Sequence, residues 1–244
     1  MDIILIPGLW LDGASWEKVT PALDASGHRT HAVTLPGMES REANRSAVTL
    51  RDHVQAAVAV IDAVDPADGK VALVGHSAGA AIAYAAVDAR PGRVARAIYI
   101  GGFPTADGDS LGCDYPASGG EVPLPDWSAF EDEELADLDD AARDAFRDRA
   151  KPSPEHVTRD QQQLSDERRY DVPVTVVCTE FTSDMLRHWI DSGEPPVREF
   201  ARIHDVSFVD LPTGHWPQFT KPDALGRAIL ASLDNPVQAP GDHA

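Results

Sequence analysis

The feature that most constrains this chain is a repeated alternation. Short, mostly apolar runs stop at Gly or Pro, and the first of them alternate with segments of helical spacing. Ile3 to Ile6 ends at Pro7 and Gly8, Val71 to Val74 runs into Gly75, and Val94 to Ile100 is stopped by Gly101 and Gly102. A run with no polar alternation reads as a strand covered on both faces, which is the signature of a parallel sheet with helices on either side. Between the runs, the spacing predicts helices over Ala14–Ser26, Val48–Val64 and Ala78–Ala89, and a further strand over Thr30–Leu35. The first hundred residues therefore read as βαβαβαβ, an α/β architecture. Beyond them, Val172–Cys178 and Val206–Leu211 are predicted strands, with helices over Ser183–Ser192 and Pro222–Leu233.

The alternation fails between residues 104 and 171, where Pro, Gly and acidic residues are frequent. This segment is expected to be a cap inserted into a core made of residues 1–103 and 172–234, with residues 235–244 a mobile tail. A helix with an acidic face is expected from Glu131 to Arg149. Its opening Glu131, Asp132, Glu133 and Glu134 read as solvated carboxylates at a helix start and not as a metal site.

Charge and cysteine content narrow the function classes. With 21 Lys and Arg against 40 Asp and Glu, the net charge is -19, a surface that repels nucleic-acid backbones and anionic membranes. The expected partner is a small molecule, with neither nucleic acid nor membrane. Cys113 and Cys178 are too few and too far apart for a disulfide framework or a Cys-rich metal site. No apolar stretch approaches the roughly 20 residues of a spanning helix, and the first run is too short for a secretory leader. The expectation is a cytoplasmic protein.

Residues 75–79 read Gly-His-Ser-Ala-Gly, a G-x-S-x-G pattern set between a buried strand and an Ala-rich helix. That context suits a sharp strand-to-helix turn presenting Ser77 at the top of the sheet, beside free helix amides. A serine needs a base. His215 fits, since it follows the last predicted strand in the loop Leu211, Pro212, Thr213, Gly214 and so lies at the same sheet edge. His76 is expected to be a packing residue. The acid that would orient His215 is expected just after Cys178: Glu180 is preferred, Asp184 reads as a helix-start carboxylate, and Asp107 and Asp109 are further candidates. The backbone amides of Leu9 and Ala78 are the candidate oxyanion donors. Trp10, Phe103 and Trp216 are expected to line an aromatic substrate pocket, and Trp127 fits either pocket or core.

With these residues in view, the chain resembles the α/β-hydrolase fold family, and within it the small esterase and hydroxynitrile lyase branch. The resemblance rests on the opening I-L-I-P-G-L-W-L-D-G-A-S-W, on residues 75–79, on the Y-I-G-G-F-P strand end from Tyr99, and on T-G-H-W-P from Thr213. It implies Ser, acid and His roles at Ser77, Glu180 or Asp184, and His215, with no cofactor. Pro7 stands where the branch usually has His, and Thr182 falls near the place of its usual Asp. The position after the His, where the lyases carry Lys, is Trp216. The resemblance therefore implies hydrolysis over cyanohydrin cleavage. The net charge of -19, with the acidic helix expected near the pocket, makes a small, neutral, apolar ester or lactone the expected substrate. A lyase, an acyltransferase and a non-catalytic ligand receptor are the alternatives.

Overall fold

A computed structural model describes residues 1–112 and 114–234. The expected tail at residues 235–244 lies outside the described residues. Strands β1 (Asp2–Ile6), β2 (Arg29–Ala32), β3 (Val71–His76) and β4 (Val94–Ile100) come first. The short β5 (Glu121–Val122) and β6 (Ser153–Pro154) then lie in the irregular segment, and β7 (Val174–Cys178) and β8 (Val206–Asp210) follow. Six of these form one sheet in the order β2-β1-β3-β4-β7-β8, and every pairing within it is parallel. β5 and β6 pair antiparallel with each other.

Side chains of β1 divide between the two faces with the strand period of two. Ile4 and Ile6 join one apolar layer, and Ile3 and Leu5 join the other. The first layer is completed by α2 (Leu50–Ala63) and α3 (Ala78–Ala89), the second by Leu23 of α1 (Thr20–Ala25) and by Leu225 and Ile229 near the C-terminal end. Two-sided burial is what the uninterrupted apolar runs demanded. β2 departs from it, being an edge strand whose residues are exposed or half-buried, and it ends at Ala32 and not at Leu35.

Two predicted helices are shorter than the spacing suggested. The apolar period over Ala14–Ser26 is divided into a single 3-10 turn at Gly13–Trp16, capped by the Asp12 carboxylate, and α1, which starts anew at Thr20. Pro21 belongs in the first turn of a helix, where its missing N–H costs nothing, so it marks a start and not an interior. Between Glu131 and Arg149, only α4 (Asp140–Arg149) is helical, begun by the Asp139 side chain on the Ala142 N–H. The remaining helices are α5 (Glu155–Arg159), α6 (Ser183–Ser192), α7 (Pro217–Thr220) and α8 (Pro222–Asp234). Among the described residues, no helix is long and apolar enough to cross a membrane.

The irregular segment sits over the carboxyl edge of the sheet. Its Phe130, Leu135, Leu138, Phe146 and Ala150 form a third apolar cluster with Leu9, Trp10, Leu11 and Trp216.

The turn from β3 to α3 is among the tightest places in the fold. A Cβ on Gly75 would lie 2.4 Å from the Gly79 carbonyl oxygen, and one on Gly79 would lie 2.5 Å from that of Ile6. Gly75→Ala should therefore cost about 2–3 kcal/mol as an overpacked contact between rigid backbones, lowering Tm by roughly 4–12 °C in a chain of this size. Gly92→Ala meets nothing within 4 Å and should leave Tm unchanged. Thermal unfolding by circular dichroism checks the contrast, and equal Tm values for the two variants would refute it.

Candidate active site

Ser77 occupies the turn with φ 52° and ψ −124°, one of two non-glycine residues with positive φ in the described chain. Such a backbone costs on the order of 1–3 kcal/mol and persists only where its surroundings impose it. Here they do: the Ser77 N–H donates to the Ile100 carbonyl at 2.9 Å, and its own carbonyl accepts from Ala80 N–H at 2.9 Å. Ser77 is thereby held at the start of α3, at the crevice where neighbouring strands leave in opposite directions along the sheet.

The loop after β1 approaches from the other side. A Cβ on Gly8 would stand 2.9 Å from the Ser77 Cβ, so only glycine permits the approach. Among the described residues, neither the Leu9 nor the Ala78 amide has a hydrogen-bond acceptor, and both residues line cavities that Ser77 also lines. Trp10, the other positive-φ residue, is fixed by bonds that sequence reading had no means to find. Its N–H donates to Ser153 Oγ at 2.8 Å, its indole N–H to the Val122 carbonyl at 3.1 Å, and its carbonyl accepts from Lys151 N–H at 2.9 Å.

His215 and Glu180 meet: Nδ1 lies 2.7 Å from Glu180 Oε1. A carboxylate only accepts, so Nδ1 carries the proton and Nε2 is left with its lone pair. The Thr179 hydroxyl donates to the other Glu180 oxygen. Burial pushes the Glu180 carboxyl up, but the His215 imidazole and these hydrogen bonds outweigh it and hold the group at about 2. Burial pushes His215 down, and the Glu180 carboxylate more than reverses this, with help from Glu134, so His215 lies above its ordinary value. The other acids are elsewhere. Asp184 is exposed in the first turn of α6, Asp107 accepts from the Leu164 N–H at 2.8 Å, and Asp109 is paired with Arg198.

His76 is more than packing. It is fully buried, and burial together with the neighbouring His215 pushes it down to about 3. Its Nε2 lies 2.7 Å from the His215 carbonyl and must donate there, which makes Nδ1 the acceptor for the Gln218 amide at 3.4 Å. The backbone of His215 is held a second time by its own N–H, which donates at 2.8 Å to the carbonyl of Glu134.

Two cavities open at Ser77. The larger, about 640 Å³, has a mixed lining that includes Phe103, Thr105, Asp109, Ser110 and Gln161. The smaller, about 100 Å³, holds Trp10 and Trp216 together with Tyr115, Phe130, His215 and Glu134. Trp127 lines neither; it packs edge-on against Phe146 and Trp216 behind the smaller cleft. Donor atoms of Glu134, Glu180 and His215 lie within 4.8 Å of one another. Because Glu180 and His215 are bonded to each other, only His215 Nε2 and Glu134 remain to face the cleft. That is fewer than the three or four protein ligands of a zinc site.

In an NMR pH titration, the His215 imidazole should lose its proton above 6.5. Glu180→Gln removes the attracting charge and leaves burial, so the midpoint should fall below 6.5. An unchanged midpoint in the variant would contradict the assigned pairing.

Comparison with known proteins agrees with this architecture. Residues 3–228 match the model of a family described as the alpha/beta hydrolase family. The pyrethroid hydrolase of Sphingobium wenxiniae is 36% identical over 107 residues, which are 44% of this chain and 38% of that protein. Methylesterase 8 of Arabidopsis thaliana is 31% identical over 102 residues, 41% of this chain and 37% of that one. The chain thus spans well under half the length of the curated relatives it matches. An extracellular alpha/beta-hydrolase from a Paenibacillus species has the same fold over nearly its whole length, with a TM-score of 0.76 at 18% identity, covering 95% of this chain and 98% of that one. By its match over residues 3–228, this chain belongs to the alpha/beta hydrolase family.

Proposed function

We propose that the protein hydrolyses a small ester or lactone, neutral in preference to anionic, through an acyl-enzyme on Ser77. The observation that carries this reading is the combination of a positive-φ Ser77 with a cleft-lining His215 whose other nitrogen is bonded to Glu180 at 2.7 Å. The names of two relatives, a pyrethroid hydrolase and a methylesterase, support the reaction class.

In this mechanism, His215 Nε2 takes the Ser77 hydroxyl proton as Oγ bonds to the carbonyl carbon. Negative charge moves to the carbonyl oxygen, facing the Leu9 and Ala78 amides. Collapse breaks the bond to the leaving alkoxide, which receives the proton from His215. Water then gives a proton to the same nitrogen and attacks the acyl carbon. The ester bond to Oγ breaks, Ser77 regains its proton, and the acid departs. Glu180 stays ionised throughout and favours the imidazolium that forms twice in the cycle. Trp216 directly after His215, where lyases of the resembling branch carry Lys, supports hydrolysis. The net charge of -19 disfavours the approach of anionic substrates.

Ser77→Ala should abolish turnover of p-nitrophenyl acetate while leaving Tm intact. A fluorophosphonate should modify the wild-type enzyme on the peptide containing Ser77, as read by mass spectrometry. Label on another residue, or activity retained in the variant, would overturn the assignment. Glu180→Gln should lower kcat by several orders of magnitude, on the order of 10⁴ where an orienting carboxylate is lost. Asp184→Asn should lose only roughly 0.3–1 kcal/mol of stability. Steady-state kinetics on the two variants would reverse the choice of acid if Asp184→Asn were the inactive one.

A further inference from the structure

The smaller cleft at Ser77 has an uncommon composition. Its walls carry the rings of Trp10, Tyr115, Phe130 and Trp216, it contains the carboxylate of Glu134, and neither Lys nor Arg lines it. The rings are set edge to face, with Trp10 and Tyr115 centroids 5.2 Å apart, Trp10 and Phe130 5.8 Å, and Phe130 and Trp216 5.3 Å. Each ring is thus held by its neighbours. One Glu134 oxygen accepts the Glu131 N–H at 2.9 Å, which fixes the carboxylate without supplying a counter-ion. The nearby carboxylate of Glu180 is bonded to His215, whereas Glu134, whose charge also reaches that ring, forms no ion pair with Lys or Arg among the described residues.

An electron-rich aromatic wall beside a carboxylate attracts cations. Three kinds compete for such a place, and hydration separates them. A hard metal ion needs six or more oxygen ligands or their water equivalents, which four rings do not provide. A primary ammonium is a compact, strongly hydrated charge, and stripping its water costs more than four rings return. A quaternary, trimethylated ammonium is bulky, weakly hydrated and has no N–H to satisfy, so aromatic walls replace its water at little cost. At about 100 Å³, roughly the share of three liquid waters, the cleft suits one compact headgroup.

We propose that this cleft is a subsite for a trimethylated ammonium group carried by the substrate close to its ester, with Glu134 as counter-charge and the four rings as walls. The proposal rests on the hydrolase reading only for the cation being part of a substrate; the binding itself needs no turnover. The net charge of -19 assists by drawing cations towards the surface.

The test compares choline with its uncharged carbon isostere, 3,3-dimethylbutan-1-ol. Binding to the Ser77→Ala protein is followed by calorimetry at fixed ionic strength. Choline should bind about tenfold more tightly or better, as expected for a desolvated cation on aromatic walls. Glu134→Gln keeps an oxygen for the Glu131 N–H and should reduce that preference several-fold. Tyr115→Leu keeps apolar bulk while removing a ring, and should weaken choline more than the isostere. In parallel, wild-type kcat/KM is measured for acetylthiocholine and for 3,3-dimethylbutyl thioacetate, and their ratio is read again in Glu134→Gln.

Equal affinity for choline and the isostere, or a preference unaltered in both variants, overturns the subsite. Hydrolysis of the neutral thioester without any preference for choline leaves the hydrolase reading standing and the subsite refuted. Choline preference without hydrolysis of either ester supports the subsite and refutes the hydrolase reading.

Discussion

Everything at the carboxyl edge of the sheet depends on how closely three backbones approach one another. The end of β1, the turn after β3 and the start of α3 meet where Gly75 and Gly79 leave no room for a Cβ, and Gly102 after β4 likewise faces the Ser77 carbonyl. This contact forces Ser77 into a left-handed backbone and exposes its hydroxyl. It also brings the Leu9 loop beside the nucleophile. Because β3 lies in the interior of the sheet, between β1 and β4, the strained residue is braced on both sides.

The second layer is electrostatic, and it works through competition between burial and charge. Burial alone would make His215 a poor base, but the buried Glu180 restores its basicity and fixes its tautomer. At His76 no carboxylate is bonded to the ring, so burial wins and the ring is neutral at every physiological pH. A neutral ring has one donor and one acceptor, which makes its bond to the His215 carbonyl directional. Two histidines a few ångströms apart thus hold opposite protonation preferences, set by whether an acid is bonded to the ring.

Much of this was legible in the residues. The apolar runs announced buried strands because only a sheet covered on both faces tolerates them, and the positions of Ser77 after β3 and His215 after β8 were readable from the loops that follow those strands. Local spacing misled where a tertiary bond overrode it. The acidic stretch from Glu131 to Glu134 read as solvated helix, yet it is a series of turns whose Glu134 carbonyl is bonded to His215 and whose side chain enters the cleft. The bonds of Trp10 to Val122 and Ser153 span 112 and 143 residues, and no periodicity records such a partner. The aromatic residues predicted as one pocket are divided between two cavities, a distinction of shape that residue type does not carry.

The segment from residue 104 to 171 lies over the carboxyl edge of the sheet and is bonded to what lies beneath it. Residues 122, 151 and 153 grip Trp10, next to the first candidate oxyanion donor, and Glu134 grips the backbone of His215, so this segment is a scaffold for the candidate site. Those grips join segments far apart in sequence. The shape of the site is consequently a property of contacts at long sequence separation, whose closure cost the sheet offsets by bringing the loop ends together.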